Sequence, residues 1–92
     1  MNEKNMSKVQ IYTTPTCPYC HAAKNLLNKK NIEFVEISVV NPTVREKMME
    51  RAGGRRSVPQ IFFGETHIGG FDDLAELDRE NKLEPLLEKI GA

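Results

Sequence analysis

The chain has 92 residues, 39% of them hydrophobic and 28% charged, with 13 basic and 13 acidic side chains and a formal net charge of zero. That length holds one core rather than two. The balanced charge offers no global attraction to nucleic acid or a membrane surface, and no segment approaches the roughly 20 apolar residues that span a bilayer. Met1 to Lys8 is polar and lacks the apolar stretch of a secretory signal, so a cytoplasmic location is expected. Residues 1–7 read as a flexible tail, and residues 8–92 as the folded domain.

Val9-Gln10-Ile11-Tyr12-Thr13 is β-branched or aromatic at four of five positions and predicts a buried strand. Thr14-Pro15-Thr16 breaks it. Pro18 suits the first turn of a helix, where a missing N–H is no loss. Ala22, Ala23, Leu26, Leu27 and Lys30 then keep helical spacing as far as Asn31, a C-terminal stop. Ile32 to Val39 is a second apolar run, ended by Asn41-Pro42. A second helix runs from Thr43 to about Ala52, with Val44, Met48 and Ala52 on its buried face, until Gly53-Gly54.

Gln60-Ile61-Phe62-Phe63 is a third strand. Gly64-Glu65 turns it, and Thr66-His67-Ile68 returns as the fourth, forming a hairpin. Gly69-Gly70 is the next break. Asp72 or Asp73 caps a helix carrying Leu74, Leu77 and Leu83; Glu84-Pro85 interrupts that helix, and Leu86, Leu87 and Ile90 finish the chain as a short turn or helix. The order is β-α-β-α-β-β-α. The first two strands are parallel because a helix crosses between them, and the last two are antiparallel because only a tight turn joins them. A four-stranded mixed sheet flanked by helices on both faces is the economical α/β solution. It places Cys17 at the C-terminal end of a central strand, where such folds keep their chemistry.

Cys17 and Cys20 are the only cysteines, three positions apart at a strand-to-helix turn. In a reducing compartment structural disulfides are rare, so such a pair points to redox chemistry or metal binding. The thiolate is the nucleophile, and a helix N-terminus can lower a cysteine pKa from about 8.5 to roughly 3.5–7.5. Cys17, before the helix, is therefore expected to attack. Cys20, one turn inside, is expected to be the more buried, with the higher pKa, and to resolve the intermediate. Three other readings compete. A zinc site would draw on Cys17, Cys20, His21 and His67, but His21 adjoins Cys20 awkwardly and there is no second thiol pair. Cys17-Pro-Tyr-Cys-His21 also matches the haem-attachment spacing, a chemistry of exported proteins; here His21 reads as a solvent-facing helix residue. Inert core thiols would be reasonable for a lone cysteine and poor for this pair.

Taken together, the chain resembles the dithiol glutaredoxins, close to the small bacterial type, from Val9 to Leu87. The marks are Cys17-Pro18-Tyr19-Cys20, Ser57-Val58-Pro59 and Gly69-Gly70-Phe71-Asp72-Asp73. The resemblance implies a thioredoxin fold and reduction of protein disulfides and protein–glutathione mixed disulfides. Glutathione would be reductant and co-substrate, without metal or prosthetic group, and the protein a monomer. It implies Cys17 and Cys20 as catalytic residues, and glutathione contacts from Tyr19, Arg45, Ser57, Val58, Pro59, Gly70, Phe71, Asp72 and Asp73.

In the family the proline is cis, which turns the Val58 N–H and C=O toward the ligand. The glutathione cysteinyl unit can then pair with that backbone like an added strand. The N–H groups of Phe71 and Asp72, at a helix entrance, suit the γ-glutamyl carboxylate, and the Asp73 side chain suits the ammonium. Tyr19 would lie along the ligand, and Arg45 would meet the glycine carboxylate. Three positions depart from the pattern: Thr14 stands where relatives often have lysine, Phe71 where some have a third cysteine, and Gln60 where a basic residue is also possible.

Two other functions fit parts of the chain. An iron–sulfur cluster carrier, held between subunits by Cys17 and glutathione, is opposed by the Pro18-Tyr19 spacer and the second cysteine. A dithiol donor served by thioredoxin reductase is opposed by the lack of tryptophan and by the Gly-Gly-Phe-Asp-Asp segment.

Overall fold

A computed structural model of the chain describes residues 8–91, so the expected flexible tail at 1–7 lies outside the described residues. The elements are β1 (Val9–Thr13), α1 (Pro18–Lys29), β2 (Val35–Ser38), α2 (Pro42–Arg51), β3 (Gln60–Phe63), β4 (Thr66–Gly69), α3 (Phe71–Arg79) and α4 (Leu83–Lys89). The sheet order is β2-β1-β3-β4. β1 pairs in parallel with β2, Gln10 opposite Val35 and Thr13 opposite Ser38. On its other side it pairs antiparallel with β3, Val9 opposite Phe63 and Tyr12 opposite Gln60. The β3–β4 hairpin carries a register shift between Ile61 and Phe62. The mixed sheet is the expected one, and β1 is a central strand.

Strand alternation divides the core between the two faces of the sheet. Val9, Ile11, Ile61 and Phe63 pack with Ala23, Leu27, Leu74 and Leu83, burying α1, α3 and α4 on one face. Tyr12 and Phe62 point the other way and pack with Val39, Met48 and Ala52 under α2. The face expected of the second helix is thus found: Met48 and Ala52 are buried, and Val44 packs partly buried against them. Arg51 closes that side. Its guanidinium donates to Gln10 Oε1 at 2.7 Å, the Tyr12 hydroxyl at 2.9 Å and the Gly64 carbonyl at 3.3 Å, and lies 4.0 Å from the Phe62 ring centroid.

Beyond one-residue shifts of element ends, three features differ from expectation. The second strand begins at Val35 rather than Ile32. Asn31, at φ 60°, turns the chain out of α1, and the residues after it cross to the sheet before register with β1 is reached. Ile32 still enters the core without pairing as strand. The last helical region breaks at Asn81 (φ 59°), not at Glu84-Pro85. Leu83 therefore belongs to α4, in whose first turn Pro85 is tolerated. Finally, α3 is capped from Gly70 and not from Asp72 or Asp73: the Gly70 N–H donates to Asp73 Oδ2 at 2.9 Å. The aspartate reaches back from the third helical position instead of preceding the helix. No helix among the described residues is long and apolar enough to cross a membrane.

Candidate active site

Cys17 is the N-cap of α1, in extended conformation (φ −104°, ψ 110°), with Pro18 at the first helical position. The first N–H groups of a helix have no intrahelical acceptor, and here one finds sulfur: the Cys20 N–H donates to Cys17 Sγ at 3.1 Å. The thiol fills the role a serine or aspartate side chain usually plays at this position. Cys17 is half-buried, whereas Cys20 is 0% exposed. Burial, with Cys17 beside it, pushes the Cys20 thiol up to about 12, against the opposing pull of the Thr14 backbone and Lys24. The expected asymmetry is present: one thiol is accessible, and the other is buried and holds its proton.

A second segment meets the first. Val58-Pro59 is a cis peptide leading into β3, and the Cys17 thiol points at the Val58 carbonyl, 3.7 Å from sulfur. The antiparallel β1–β3 pairing accounts for the meeting, since the end of β1 lies beside the start of β3. Pro59 is buried, Val58 is half-buried and Ser57 is exposed. Ser57 is fastened from behind: Gln60 Nε2 donates to its carbonyl at 3.0 Å and to its hydroxyl at 3.3 Å.

The third segment is the β4–α3 junction. Phe71, the first residue of α3, stacks on Tyr19 with ring centroids 6.2 Å apart and 29° between planes. Tyr19 is 63% exposed, so the pair forms an apolar ledge connecting the Cys17 turn to the Gly70 turn. Gly69 has φ +117°, and a β-carbon there would overlap the Asp73 carboxylate. Only glycine brings the backbone this close while leaving that carboxylate in place. Asp73 also faces Arg55 Nη1 at 3.6 Å, and Asp72 is exposed. Arg45 reaches the loop before Val58, its Nη2 donating to the Arg56 carbonyl at 2.9 Å.

Among the residues expected at the site, direct contacts join Cys17, Cys20 and Val58, and join Tyr19, Phe71, Gly70 and Asp73 in pairs. The Arg45 side chain bonds the Arg56 carbonyl, in the loop before Val58. Sequence reasoning did not single out Arg55 as the partner of Asp73. It also missed the link from Gln60 to Ser57, whose one signal was an amide heading the apolar run Ile61-Phe62-Phe63. The four-ligand zinc alternative would need His67 beside the thiols; instead its ring lies on Phe62, 4.8 Å between centroids, and bonds to Gln60. His21 is exposed on α1. A concavity of about 840 Å³ lies at the other end of β1, around Val9, Asn31, Ile32 and Leu83, and contains none of these site residues.

The family profile described as Glutaredoxin matches residues 9–68. Glutaredoxin 3 of Escherichia coli K12 is 51% identical over 84 residues, covering 90% of this chain and 100% of that relative. Glutaredoxin 1 of Rickettsia prowazekii is 47% identical over 90 residues, covering 96% and 95%. Among solved structures, glutaredoxin from Brucella melitensis superposes with a TM-score of 0.77 at 51% identity, covering 90% of each chain. A buckwheat glutaredoxin–glutathione complex superposes at 0.84 with 28% identity, covering 96% of this chain and 83% of the other.

Proposed function

The chain belongs to the glutaredoxin family of thiol–disulfide oxidoreductases, and from that membership we propose that it uses glutathione to reduce protein–glutathione mixed disulfides and protein disulfides, with Cys17 as nucleophile and Cys20 as resolving thiol. The observation that carries this is the half-buried Cys17 sulfur between a helix N–H at 3.1 Å and the Val58 backbone at 3.7 Å. An extended peptide-like ligand can dock there with its own sulfur next to the thiol.

On this reading the Cys17 thiolate attacks the glutathione sulfur of the mixed disulfide. A Cys17–glutathione S–S bond forms, the original S–S bond breaks, and the protein thiolate leaves and takes a proton from water. The thiolate of a second glutathione then attacks the bound glutathione sulfur, releasing glutathione disulfide and regenerating the Cys17 thiolate. With a protein disulfide, the Cys17 thiolate attacks one substrate sulfur and the substrate S–S bond breaks. Its other sulfur leaves as a thiolate that takes a proton from water, and a Cys17–substrate mixed disulfide remains. Cys20, once deprotonated, attacks Cys17 and expels the substrate thiol, and two glutathiones reduce the resulting Cys17–Cys20 disulfide.

Val58, between Ser57 and the buried Pro59, would pair with the cysteinyl unit. The N–H groups of Phe71 and Asp72 would receive the γ-glutamyl carboxylate beside Gly70, Asp73 the ammonium, and Arg45 the glycine carboxylate. Tyr19 would cover the ligand. The buckwheat protein bound to glutathione, 28% identical to this chain, supports this choice of ligand. The protein is proposed to act as a cytoplasmic monomer, with residues 8–92 as its domain.

A glutathione-coupled assay on a small mixed disulfide tests the assignment in wild type, Cys17→Ser and Cys20→Ser. Turnover should vanish in the first variant and persist in the second. Turnover retained in Cys17→Ser would refute the assignment.

A further inference from the structure

Gln60 is a fully buried polar side chain in the first position of β3, with 0% exposure. Both ends of its amide are engaged. Nε2 donates to the Ser57 carbonyl and hydroxyl, and Oε1 lies 2.7 Å from His67 Nε2. The Ser57 carbonyl can only accept, which fixes the NH2 group toward the loop and the amide oxygen toward β4. That oxygen can also only accept, so His67 must carry a proton on Nε2. Burial, with Arg55 and Arg51 nearby, holds the imidazole below the usual histidine range, and Asp73 pulls the other way. At neutral pH the ring is then uncharged and its one proton must sit on Nε2. Stacking on Phe62, its cross-strand partner, keeps the ring in this orientation.

We propose that His67 is a positioning residue for the thiol site: through Gln60 it holds the Ser57 carbonyl and thereby sets the Val58 backbone against Cys17. The proposal rests on the glutathione reading above, since its effect is on the segment assigned to the ligand. The chain of contacts is short and continuous. His67 bonds Gln60, Gln60 bonds Ser57, Ser57 is covalently joined to Val58, and the Val58 carbonyl faces Cys17 Sγ. Remove the Nε2–H and Gln60 Oε1 becomes a buried acceptor without a partner, a costly state. The amide then turns toward water, and Ser57 loses its tether.

Two variants and one direct measurement test this. His67→Phe keeps a ring for stacking on Phe62 and removes the donor; His67→Gln restores an N–H donor at similar reach. With a glutathionylated peptide as substrate, KM should rise about tenfold in His67→Phe, the cost of roughly one hydrogen bond. The kcat should stay within about twofold, and His67→Gln should recover most of the loss. Nitrogen NMR of the wild-type ring at pH 7 should show the neutral tautomer protonated on Nε2, and His67→Phe should shift the Ser57 and Val58 amide resonances. An unchanged KM in a folded His67→Phe, or a wild-type ring protonated on Nδ1 alone, overturns the proposal. Wild type inactive with glutathione would refute the functional reading instead, while the tautomer and the amide shifts would still decide whether the relay exists.

Discussion

The Cys20 backbone N–H donates to Cys17 Sγ at 3.1 Å, while the Cys20 side chain is completely buried. One residue thus does two things: its backbone supports the outer sulfur, and its thiol waits behind it. Because Cys20 is pushed up to about 12, from an ordinary cysteine value near 8.5, the reduced protein should show selective chemistry. Iodoacetamide at pH 8 should label Cys17 and leave Cys20 unmodified, as peptide mass spectrometry would show. Equal labelling of both thiols would contradict the asymmetry.

The same displacement has a stability consequence. A thiol whose folded pKa exceeds its unfolded one favours the fold fully below the unfolded value, and that contribution drains away as pH rises toward the folded value. The window is therefore about pH 8.5 to 12. Melting of reduced wild type and Cys20→Ala, followed from pH 7 to 10.5, should show the wild type losing Tm faster with rising pH. Parallel curves would argue against a strongly raised Cys20.

Asp73 combines a structural and a proposed binding role, and substitutions separate them. Asp73→Ala removes the acceptor for the Gly70 N–H and should cost about 1 kcal/mol in denaturant unfolding. Asp73→Asn keeps an acceptor and should unfold close to wild type. It loses the charge proposed to hold the glutathione ammonium, so its KM for a glutathionylated peptide should still rise about tenfold, the value of one charge-assisted bond. Gly69→Ala should be worse than either, because φ +117° is unfavourable for alanine and its β-carbon would displace the Asp73 carboxylate.

Arg51→Lys should not be conservative. The guanidinium serves Gln10, Tyr12 and Gly64 while sitting over the Phe62 ring, 4.0 Å from its centroid. An ammonium cannot reproduce that fork or the ring contact. A loss of about 1 kcal/mol in unfolding free energy, without loss of kcat, is the expected result.

Leu27→Ala should cost about 2–5 kcal/mol, because the side chain is wholly buried between α1 and the sheet. For a domain of this size that is a large share of total stability. Chemical denaturation would reveal it as a lower midpoint with an unchanged slope.

The element order was readable from local pattern because each element's periodicity agrees with its partner's. Val9-Gln10-Ile11-Tyr12-Thr13 reads as strand alone and sits as strand in the sheet. Where a residue answers to two demands, local pattern misplaces it. Ile32 is apolar enough to extend a strand, yet it serves the core from the link after Asn31. Asp73 is a good helix-cap type, but it caps by reaching backward to Gly70.

At the site, the spacing of Cys17 and Cys20 announces a local event, one helical turn, so it was legible. The Arg55–Asp73 pair and the His67–Gln60–Ser57 contacts join residues from different elements, and which side chains meet there follows from sheet register and loop course. Asp73, Ser57 and His67 each stand out as residue types in the primary structure, but their pairings do not. For the Gln60 contacts the one trace is a polar residue at the head of the Ile61-Phe62-Phe63 run.

The central position of β1 also sets an order of events in the life of the chain. Its parallel neighbour comes from residues 35–38, but its antiparallel neighbour comes from residues 60–63. Synthesis from the N-terminus delivers Cys17 ahead of Val58 by 41 residues, and the Gly70 turn later still. A pairing across that separation forms late, after the intervening loop has been closed. A nascent chain therefore exposes its cysteines well before it owns a surface to select what they react with, and selectivity arrives only with the last strands of the sheet.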